Sequence, residues 1–214
     1  MNAKTSAAGN YTYHDYSTPD PPHQPLYLSF LLRQLRNAGA KTVLDVGCGD
    51  GNFSASLASE GFETYGIDLS QGGITKAKAN YPNVSFSVAS AYDDYSAIFS
   101  GIQKFDAVVS VEVIEHLYSP RDFVRSARSA AKPRGLVIVT TPYWGYLKNI
   151  VLAVTNRTDR SLNPLWDGGH IKHWSRATLC KLFEEQNFEN VSFYGAGRPV
   201  PFLWNGMAMS FRNG

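Results

Sequence analysis

The stretch Lys41-Thr-Val-Leu-Asp-Val-Gly-Cys-Gly-Asp-Gly51 decides the fold of this chain. Its apolar start ends in glycines at positions 47, 49 and 51, and a helical segment, 52–60, follows. A buried strand, a tight glycine turn and a helix N-terminus in this order let the backbone approach a nucleotide-like ligand closely. A further acidic residue, Asp68, ends the next predicted strand, where its carboxylate can bond to ribose hydroxyls.

The glycine spacing separates two kinds of nucleotide site. A dinucleotide site needs Gly-x-Gly-x-x-Gly, so that the pyrophosphate can bind at the helix end. This chain has Gly-x-Gly-x-Gly, and Asp45 lies two residues before the first glycine. An acidic turn repels pyrophosphate but suits a ligand that carries an ammonium and a sulfonium group. The alternative is a glycine turn that binds no ligand.

The motif resembles the first motif of the class I S-adenosylmethionine (SAM) methyltransferases. This resemblance implies methyl transfer from SAM, with S-adenosylhomocysteine (SAH) as the product. It also implies a set of cofactor-binding residues at the ends of four strands: Asp45, Gly47, Cys48, Gly49, Gly51, Asp68, Leu69, Ser90, Ala91, Tyr92 and Val111. Many relatives have Asp at the position of Ser90, so Ser90, the backbone of Ala91 or Asp93 would replace that contact.

Strand and helix patterns alternate from Lys41 onward, which predicts an α/β fold: a Rossmann-like, mostly parallel sheet of seven strands with helices on both faces. The last strand should be antiparallel. The predicted strands are 42–46, 64–68, 84–88, 106–112, 135–140, 190–195 and 206–212. The predicted helices are 26–37, 52–60, 71–80, 94–101, 120–131 and 176–187, with Gly39 ending the first and Ser119 and Ser175 capping the last two.

Length and composition indicate one domain. The chain has 214 residues, 43% of them hydrophobic and 18% charged, which is ordinary for a globular protein. We expect an aromatic and proline-rich arm at 1–25 and a single methyltransferase domain at 26–214. Only Cys48 and Cys180 occur, and no apolar run is long enough to span a membrane, so we expect a cytoplasmic protein.

Residues 143–173 do not fit the strand and helix alternation, and we interpret them as a lid over the substrate. The aromatic residues Tyr143, Trp144 and Tyr146 are candidates for stacking on an acceptor, and core packing is the alternative. The apolar stretch 147–154 suits either a buried lid helix or peripheral contact with a membrane.

Three polar side chains follow the fourth predicted strand at a spacing that one helical turn brings together: Glu112, Glu115 and His116. With the later His170, they resemble a pattern in two methyltransferase branches. These are the ubiquinone-biosynthesis O-methyltransferases and the small-RNA 3′-terminal 2′-O-methyltransferases. The second resemblance implies that Glu112, Glu115, His116 and His170 hold a divalent metal. We take His116, Glu112 and Glu115 as the candidate catalytic residues. In the metal-free alternative, His116 is the general base and the two glutamates pair with an arginine or cap a helix.

Three functions remain open from the sequence. The first is O-methylation of a small or lipid-like hydroxyl compound, with His170 also contacting the substrate. The second is metal-dependent 2′-O-methylation of RNA, which the charge of residues 121–214 favours, with 13 Lys/Arg against 6 Asp/Glu. The third is a SAM-binding protein without catalysis. The sequence predicts no oligomeric state.

Overall fold

Strands and helices alternate along residues 24–166 and 168–214, the part of the chain that the computed structural model describes. The strands are β1 (Thr42–Val46), β2 (Glu63–Asp68), β3 (Ser85–Val88), β4 (Phe105–Val111), β5 (Ala131–Pro142), β6 (Phe188–Ala196) and β7 (Gly206–Asn213). The helices are α1 (Gln24–Asn37), α2 (Asn52–Ser59), α3 (Gln71–Asn80), α4 (Pro120–Ala130), α5 (Tyr146–Val154), α6 (Thr158–Leu162) and α7 (Arg176–Glu184). Single 3₁₀ turns lie at Tyr95–Ala97 and Ile114–His116.

The seven strands form one sheet in the order β3-β2-β1-β4-β5-β7-β6. The pairs along β3-β2-β1-β4-β5 are parallel, and β7 is antiparallel to both of its neighbours. This confirms the predicted Rossmann-like sheet and its antiparallel last strand. Because β1 lies between β2 and β4, the carboxyl ends of these three strands meet at one edge.

The central strands are apolar because helices cover both faces of the sheet. Helices α1 and α2 cover one face, where Leu31 and Leu57 are fully buried. Helices α4 and α7 cover the other face, where Phe123 and Phe183 are fully buried. The edge that carries the ends of β1, β2 and β4 therefore rests on a rigid core.

Local signals explain most helix ends. Gly39 has φ +65°, a left-handed conformation that suits glycine and follows α1 as predicted. The Ser175 hydroxyl accepts a hydrogen bond from the Thr178 backbone N–H at 3.2 Å and caps α7. Ser119 precedes α4 as predicted, but its hydroxyl donates to the Asp122 carboxylate at 2.5 Å instead of capping a backbone N–H.

Several predicted boundaries were wrong. Helix α1 begins at Gln24 rather than Leu26, because a proline is tolerated in the first turn of a helix. The predicted helix 94–101 is only the 3₁₀ turn Tyr95–Ala97. Strand β5 extends beyond 135–140 at both ends, and its pairing with β4 shifts register between Phe105 and Ala107. Residues 1–23 of the predicted arm lie outside the described residues.

The predicted lid contains α5 and α6. Its two ends are tied together where Tyr143 forms an isolated parallel bridge with Trp174. Within residues 24–166 and 168–214, no helix has the length and apolar character that crossing a bilayer requires.

Candidate active site

The glycine turn after β1 has a left-handed backbone at Gly47, Gly49 and Gly51, with φ of +81°, +57° and +84°. The backbone N–H groups of Gly47 and Cys48 both donate to the Ile67 carbonyl, at 2.8 and 3.0 Å. A β-carbon at Gly51 would lie 2.7 Å from the Phe86 ring. Glycine is therefore required both for the backbone conformation and for the close packing of the turn.

Asp68 lies at the end of β2 and is held in place by the turn. Its carboxylate accepts hydrogen bonds from the backbone N–H of Gly49 at 2.9 Å and of Ser70 at 2.7 Å. Burial raises the pKa of Asp68, and these two hydrogen bonds oppose that rise. A carboxylate fixed in this way keeps lone pairs for the two hydroxyls of a ribose.

Asp45 and Cys48 support the turn from behind. Asp45 is only 1% exposed, and its carboxylate accepts a hydrogen bond from the Ser54 hydroxyl at 2.6 Å. Burial raises the pKa of Asp45 to about 7. The Cys48 side chain packs with Ile74 and Phe86, so this residue offers a ligand only its backbone.

The predicted adenine edge follows β3. The Ser90 backbone N–H donates to the Asp93 carboxylate at 2.8 Å, and the Ser90 hydroxyl accepts from the Tyr92 backbone N–H at 3.2 Å. Asp93 thus folds this loop, in which Ala91 is half-buried. Leu69, just after Asp68, is 63% exposed, as expected for an apolar side chain that a flat ring can cover.

The glycine turn contacts the loop that follows β4. A β-carbon at Gly47 would lie 2.4 Å from the Val113 side chain. Val113 comes shortly after the half-buried Val111 at the end of β4 and directly before the 3₁₀ turn Ile114–His116. The predicted cofactor turn and the predicted catalytic residues are therefore neighbours in space.

Three of the four predicted metal ligands form a cluster. Glu115, His116 and His170 each offer one ligand atom, and these atoms all lie within 4.8 Å of one another. The imidazole centroids of His116 and His170 are 4.9 Å apart, and the Trp166 ring packs edge-on against both. His170 and Trp166, both in the predicted lid, therefore pack against the loop after β4.

Backbone hydrogen bonds fix this arrangement. The Glu115 carbonyl accepts from the backbone N–H groups of Ile171 and Lys172, each at 2.9 Å. His116 Nδ1 lies 2.9 Å from the Gly168 carbonyl oxygen and 3.3 Å from that of Gly169. Since a carbonyl only accepts hydrogen bonds, Nδ1 carries the proton and Nε2 carries the lone pair.

The Glu115 carboxyl group is buried, with 1% of the residue exposed. Among the described residues, neither of its oxygens has a hydrogen-bond partner, and His170 Nε2 lies 3.9 Å away. Burial, with the charge of Glu112, raises the pKa of Glu115 well above its usual value. A buried carboxyl group beside two imidazoles fits a bound cation, which would reverse that pKa shift.

Glu112 lies apart from this cluster. It has φ +55°, and its carboxylate accepts a hydrogen bond from the Thr140 hydroxyl at 2.9 Å. The Tyr27 hydroxyl of α1 lies near this carboxylate and lowers its pKa. Burial raises the pKa of Glu112 to about 7. Glu112 therefore affects the cluster electrostatically, by raising the pKa of Glu115, while its side chain lies beside β5 and α1.

The three predicted substrate aromatics have different environments. Tyr143 is 7% exposed and packs edge-on against Trp204, so it belongs to the core, which was the alternative. Trp144 is half-buried and packs against His173, whose pKa burial lowers. Tyr146 is 83% exposed at the start of α5. Trp144 and Tyr146 thus remain available to a ligand.

Known proteins match both the glycine turn and this cluster region. A family model described as "Methyltransferase domain" matches residues 23–193. The chain belongs to the class I SAM-dependent methyltransferases. It is 33% identical to a ubiquinone biosynthesis O-methyltransferase of Hydrogenovibrio crunogenus, over 68% of this chain and 60% of that protein. It is 32% identical to the enzyme of that name from Vibrio campbellii, over 82% of this chain and 76% of that one.

A solved structure agrees. The magnesium protoporphyrin IX methyltransferase of Synechocystis PCC 6803, with bound SAH, has a TM-score of 0.65. It covers 87% of this chain and 82% of its own, at 18% sequence identity, which shows the shared fold. This chain, as a member of the class I family, uses SAM as its cofactor. The left-handed glycine turn and the oriented carboxylate of Asp68 fit the nucleoside part of SAM.

Sequence reasoning missed Tyr27, Thr140 and Trp166. Tyr27 and Thr140 hold Glu112 from α1 and β5, and both are buried. Trp166 lies in a stretch without periodicity, yet its ring contacts both histidines. A tryptophan four residues before His170 was the available signal for Trp166. Tyr27 and Thr140 are far from Glu112 in the sequence, and no sequence signal indicated that they lie near it.

Proposed function

We propose that this enzyme transfers the methyl group of SAM to a hydroxyl oxygen of a small or lipid-like compound. The observation that supports this best is His116, which belongs to the Glu115–His116–His170 cluster beside the cofactor turn. Its Nδ1 donates to the Gly168 carbonyl, so Nε2 is the basic nitrogen. The named activity of the two ubiquinone-biosynthesis relatives points to the same reaction. We also propose a cytoplasmic location, which two unpaired cysteines favour.

The sulfonium already activates the methyl group. The enzyme therefore mainly has to align the acceptor hydroxyl with that methyl group and remove the hydroxyl proton. His116 Nε2 takes the hydroxyl proton while the oxygen attacks the methyl carbon. The O–CH₃ bond forms as the S–CH₃ bond breaks, and the sulfonium becomes the neutral thioether of SAH. Glu115 and His170 orient the hydroxyl, and the Trp166 ring limits the access of water.

The surface of the lid supports an acceptor with an apolar tail. Helix α5 has no buried residue, and its apolar side chains are largely solvent-exposed, among them Tyr146, Leu147, Ile150 and Val154. Leu165, beyond α6, is 93% exposed. A lipid-like acceptor would cover part of this surface, and we extend the proposal to peripheral contact of this face with a membrane.

A second candidate is metal-dependent 2′-O-methylation of RNA. The buried oxygens of Glu115 favour it, because a carboxylate and two imidazoles are ligands for a divalent transition metal. Glu115, His116 and His170 would hold the ion. When bound, it would lower the pKa of a hydroxyl that it coordinates. His116 Nε2 would then be a ligand instead of a base, so the two candidates exclude each other.

An acceptor screen decides between them. Methyl transfer from labelled SAM is measured with phenols, catechols, long-chain hydroxyl lipids and RNA 3′ ends. Each acceptor is tested after chelation and again with Mn²⁺, Mg²⁺ or Zn²⁺. Transfer to a small or lipid-like hydroxyl without metal supports the first candidate. Transfer only to RNA, and only with metal, replaces it with the second.

A further inference from the structure

A cavity of about 270 Å³ opens beside the cluster. It lies between α5 and the segment that joins β6 to β7. Its lining includes Trp144, Lys148, Val151, Leu152, His170 and Arg198. His170 borders both this cavity and the Glu115–His116–His170 cluster. A molecule in the cavity therefore reaches the reaction centre through His170.

Lys148 projects into this cavity from α5. Its ammonium group donates to the backbone carbonyls of Tyr143 at 2.7 Å and Asn205 at 3.3 Å. The Trp144 ring lies 5.4 Å from Nζ. An ammonium group has three donors, so one N–H remains for a ligand once these two carbonyls are bound. The carbonyls fix Nζ in place and leave its positive charge without a carboxylate partner among the described residues.

Arg198, in the segment that joins β6 to β7, supplies a second cation to the cavity. It is exposed and, within the described parts of the chain, has no carboxylate within 4.0 Å. Lys148 and Arg198 line the same cavity, and burial, and then the charge of Arg198, lower the pKa of Lys148 to about 8. Among the described residues, none that lines the cavity is acidic. Two cations that face one space without a counter-ion are stabilised by an anion that binds there.

We propose that this cavity binds an anionic group of the acceptor, a carboxylate or a phosphate, between Lys148 and Arg198. The inference rests on the proposed function, because it assigns the cavity to the molecule whose hydroxyl lies at His116. Val151, Leu152 and Leu203 contact the adjacent hydrocarbon part of that molecule. The acceptor class becomes a hydroxylated, partly apolar compound with an anionic group near the reacting hydroxyl.

The test is binding of three small probes to the SAH-saturated protein by calorimetry: benzoate, phenyl phosphate and benzamide. Benzamide has nearly the shape of benzoate without its charge. We expect an anionic probe to bind about tenfold more tightly than benzamide, the effect of one charge-assisted contact. The anion that binds more tightly distinguishes a carboxylate site from a phosphate site.

Two variants and one control connect this preference to the residues. Lys148→Met and Arg198→Gln should each abolish most of the preference while benzamide binding stays unchanged. Arg157→Gln removes an exposed cation of the lid that does not line the cavity, and it should keep the preference. If Lys148→Met fails to fold because Tyr143 and Asn205 lose their donor, Arg198→Gln decides, since its side chain is exposed.

Several results would overturn the inference. These are equal binding of anionic and neutral probes, no binding of any probe, or a preference that survives in both variants. Displacement of benzoate by a single-stranded oligonucleotide, with affinity that falls steeply with salt, would assign the two cations to an RNA backbone. Because binding needs no turnover, these results leave the proposed function intact. Anion binding without methylation of any hydroxyl compound would instead remove the proposed function alone.

Discussion

His116 Nδ1 lies 2.9 Å from the carbonyl oxygen of Gly168, which belongs to the lid, 52 residues further along the chain. This hydrogen bond selects the tautomer of an imidazole that lies in one cluster with Glu115 and His170. The backbone of the lid therefore sets the tautomer of the candidate base. An asparagine at position 116 can keep the hydrogen bond to the Gly168 carbonyl, but it has no second nitrogen that could act as a base or a metal ligand.

We expect His116→Asn to lose activity while the fold stays intact. The value of kcat/KM should fall by about 10²–10⁴, the usual contribution of a general base, and a lost metal ligand would have at least as large an effect. SAH affinity, measured by calorimetry, should change little, because the side chain that packs against the cofactor turn at Gly47 is Val113. Activity close to that of the unmodified enzyme would remove His116 from the mechanism.

Glu115→Gln should affect stability in opposite directions with and without metal. Without metal, the raised pKa means that the folded state keeps the proton, so stability falls as the pH rises from about 4.3 towards the folded-state pKa. Glutamine carries no such charge, so this loss should shrink. A saturating rise in Tm with Mn²⁺ or Zn²⁺ should occur only with Glu115. A metal-induced rise of equal size in the variant would exclude Glu115 as a ligand.

Tyr27→Phe should shift the pH dependence of catalysis. The Tyr27 hydroxyl lowers the pKa of Glu112, which burial raises to about 7, so its removal should raise that pKa further. If catalysis needs ionised Glu112, the corresponding rise in the pH–rate profile then moves to higher pH. Tyr65→Phe is a matched control, because its hydroxyl also bonds to a carboxylate, that of Glu63, outside the site. The same pH profile for both variants would show that Glu112 does not titrate in the reaction.

The glycine turn was predictable because local sequence determines its conformation. Gly47, Gly49 and Gly51 permit the left-handed backbone of a tight turn between a strand and a helix, and Asp68 follows one strand later. The catalytic half of the site depends on contacts between distant residues. Glu112 matched the one-turn spacing of Glu115 and His116, yet its φ of +55° directs it to Thr140 and Tyr27. No local pattern carries that information.

Gly51→Ala should destabilise the cofactor turn more than a left-handed backbone alone explains. A β-carbon there would lie 2.7 Å from Phe86 and 2.9 Å from Ala77, in addition to the strain of φ +84°. Gly61→Ala is the control, since Gly61 has φ +91° and no atom within 4 Å of its β-carbon position. We expect about 1 kcal/mol of destabilisation for Gly61→Ala and several-fold weaker SAH binding only for Gly51→Ala. Equal SAH affinity in the two variants would contradict the close packing of the turn.

Asp106→Asn should reveal a carboxylate that stabilises the fold in its ionised form. Asp106 accepts hydrogen bonds from the backbone N–H groups of Lys41 at 3.0 Å and Thr42 at 2.9 Å, and from Lys132 Nζ at 2.7 Å. Burial alone would raise the pKa of Asp106, but these contacts, Lys132 foremost, outweigh it and lower the pKa well below its usual value.

A lowered pKa stabilises the folded state above the unfolded-state pKa of about 3.9, and this contribution disappears as the pH falls through the folded value. Asp106→Asn should therefore cost about 1–2 kcal/mol at neutral pH, measured by urea unfolding, and the cost should shrink below about pH 4. Glu189→Gln, at an exposed carboxylate on β6, should show no such trend. A cost for Asp106→Asn that stays constant down to pH 2 would mean that geometry alone, and not the charge, anchors the start of β1 to β4.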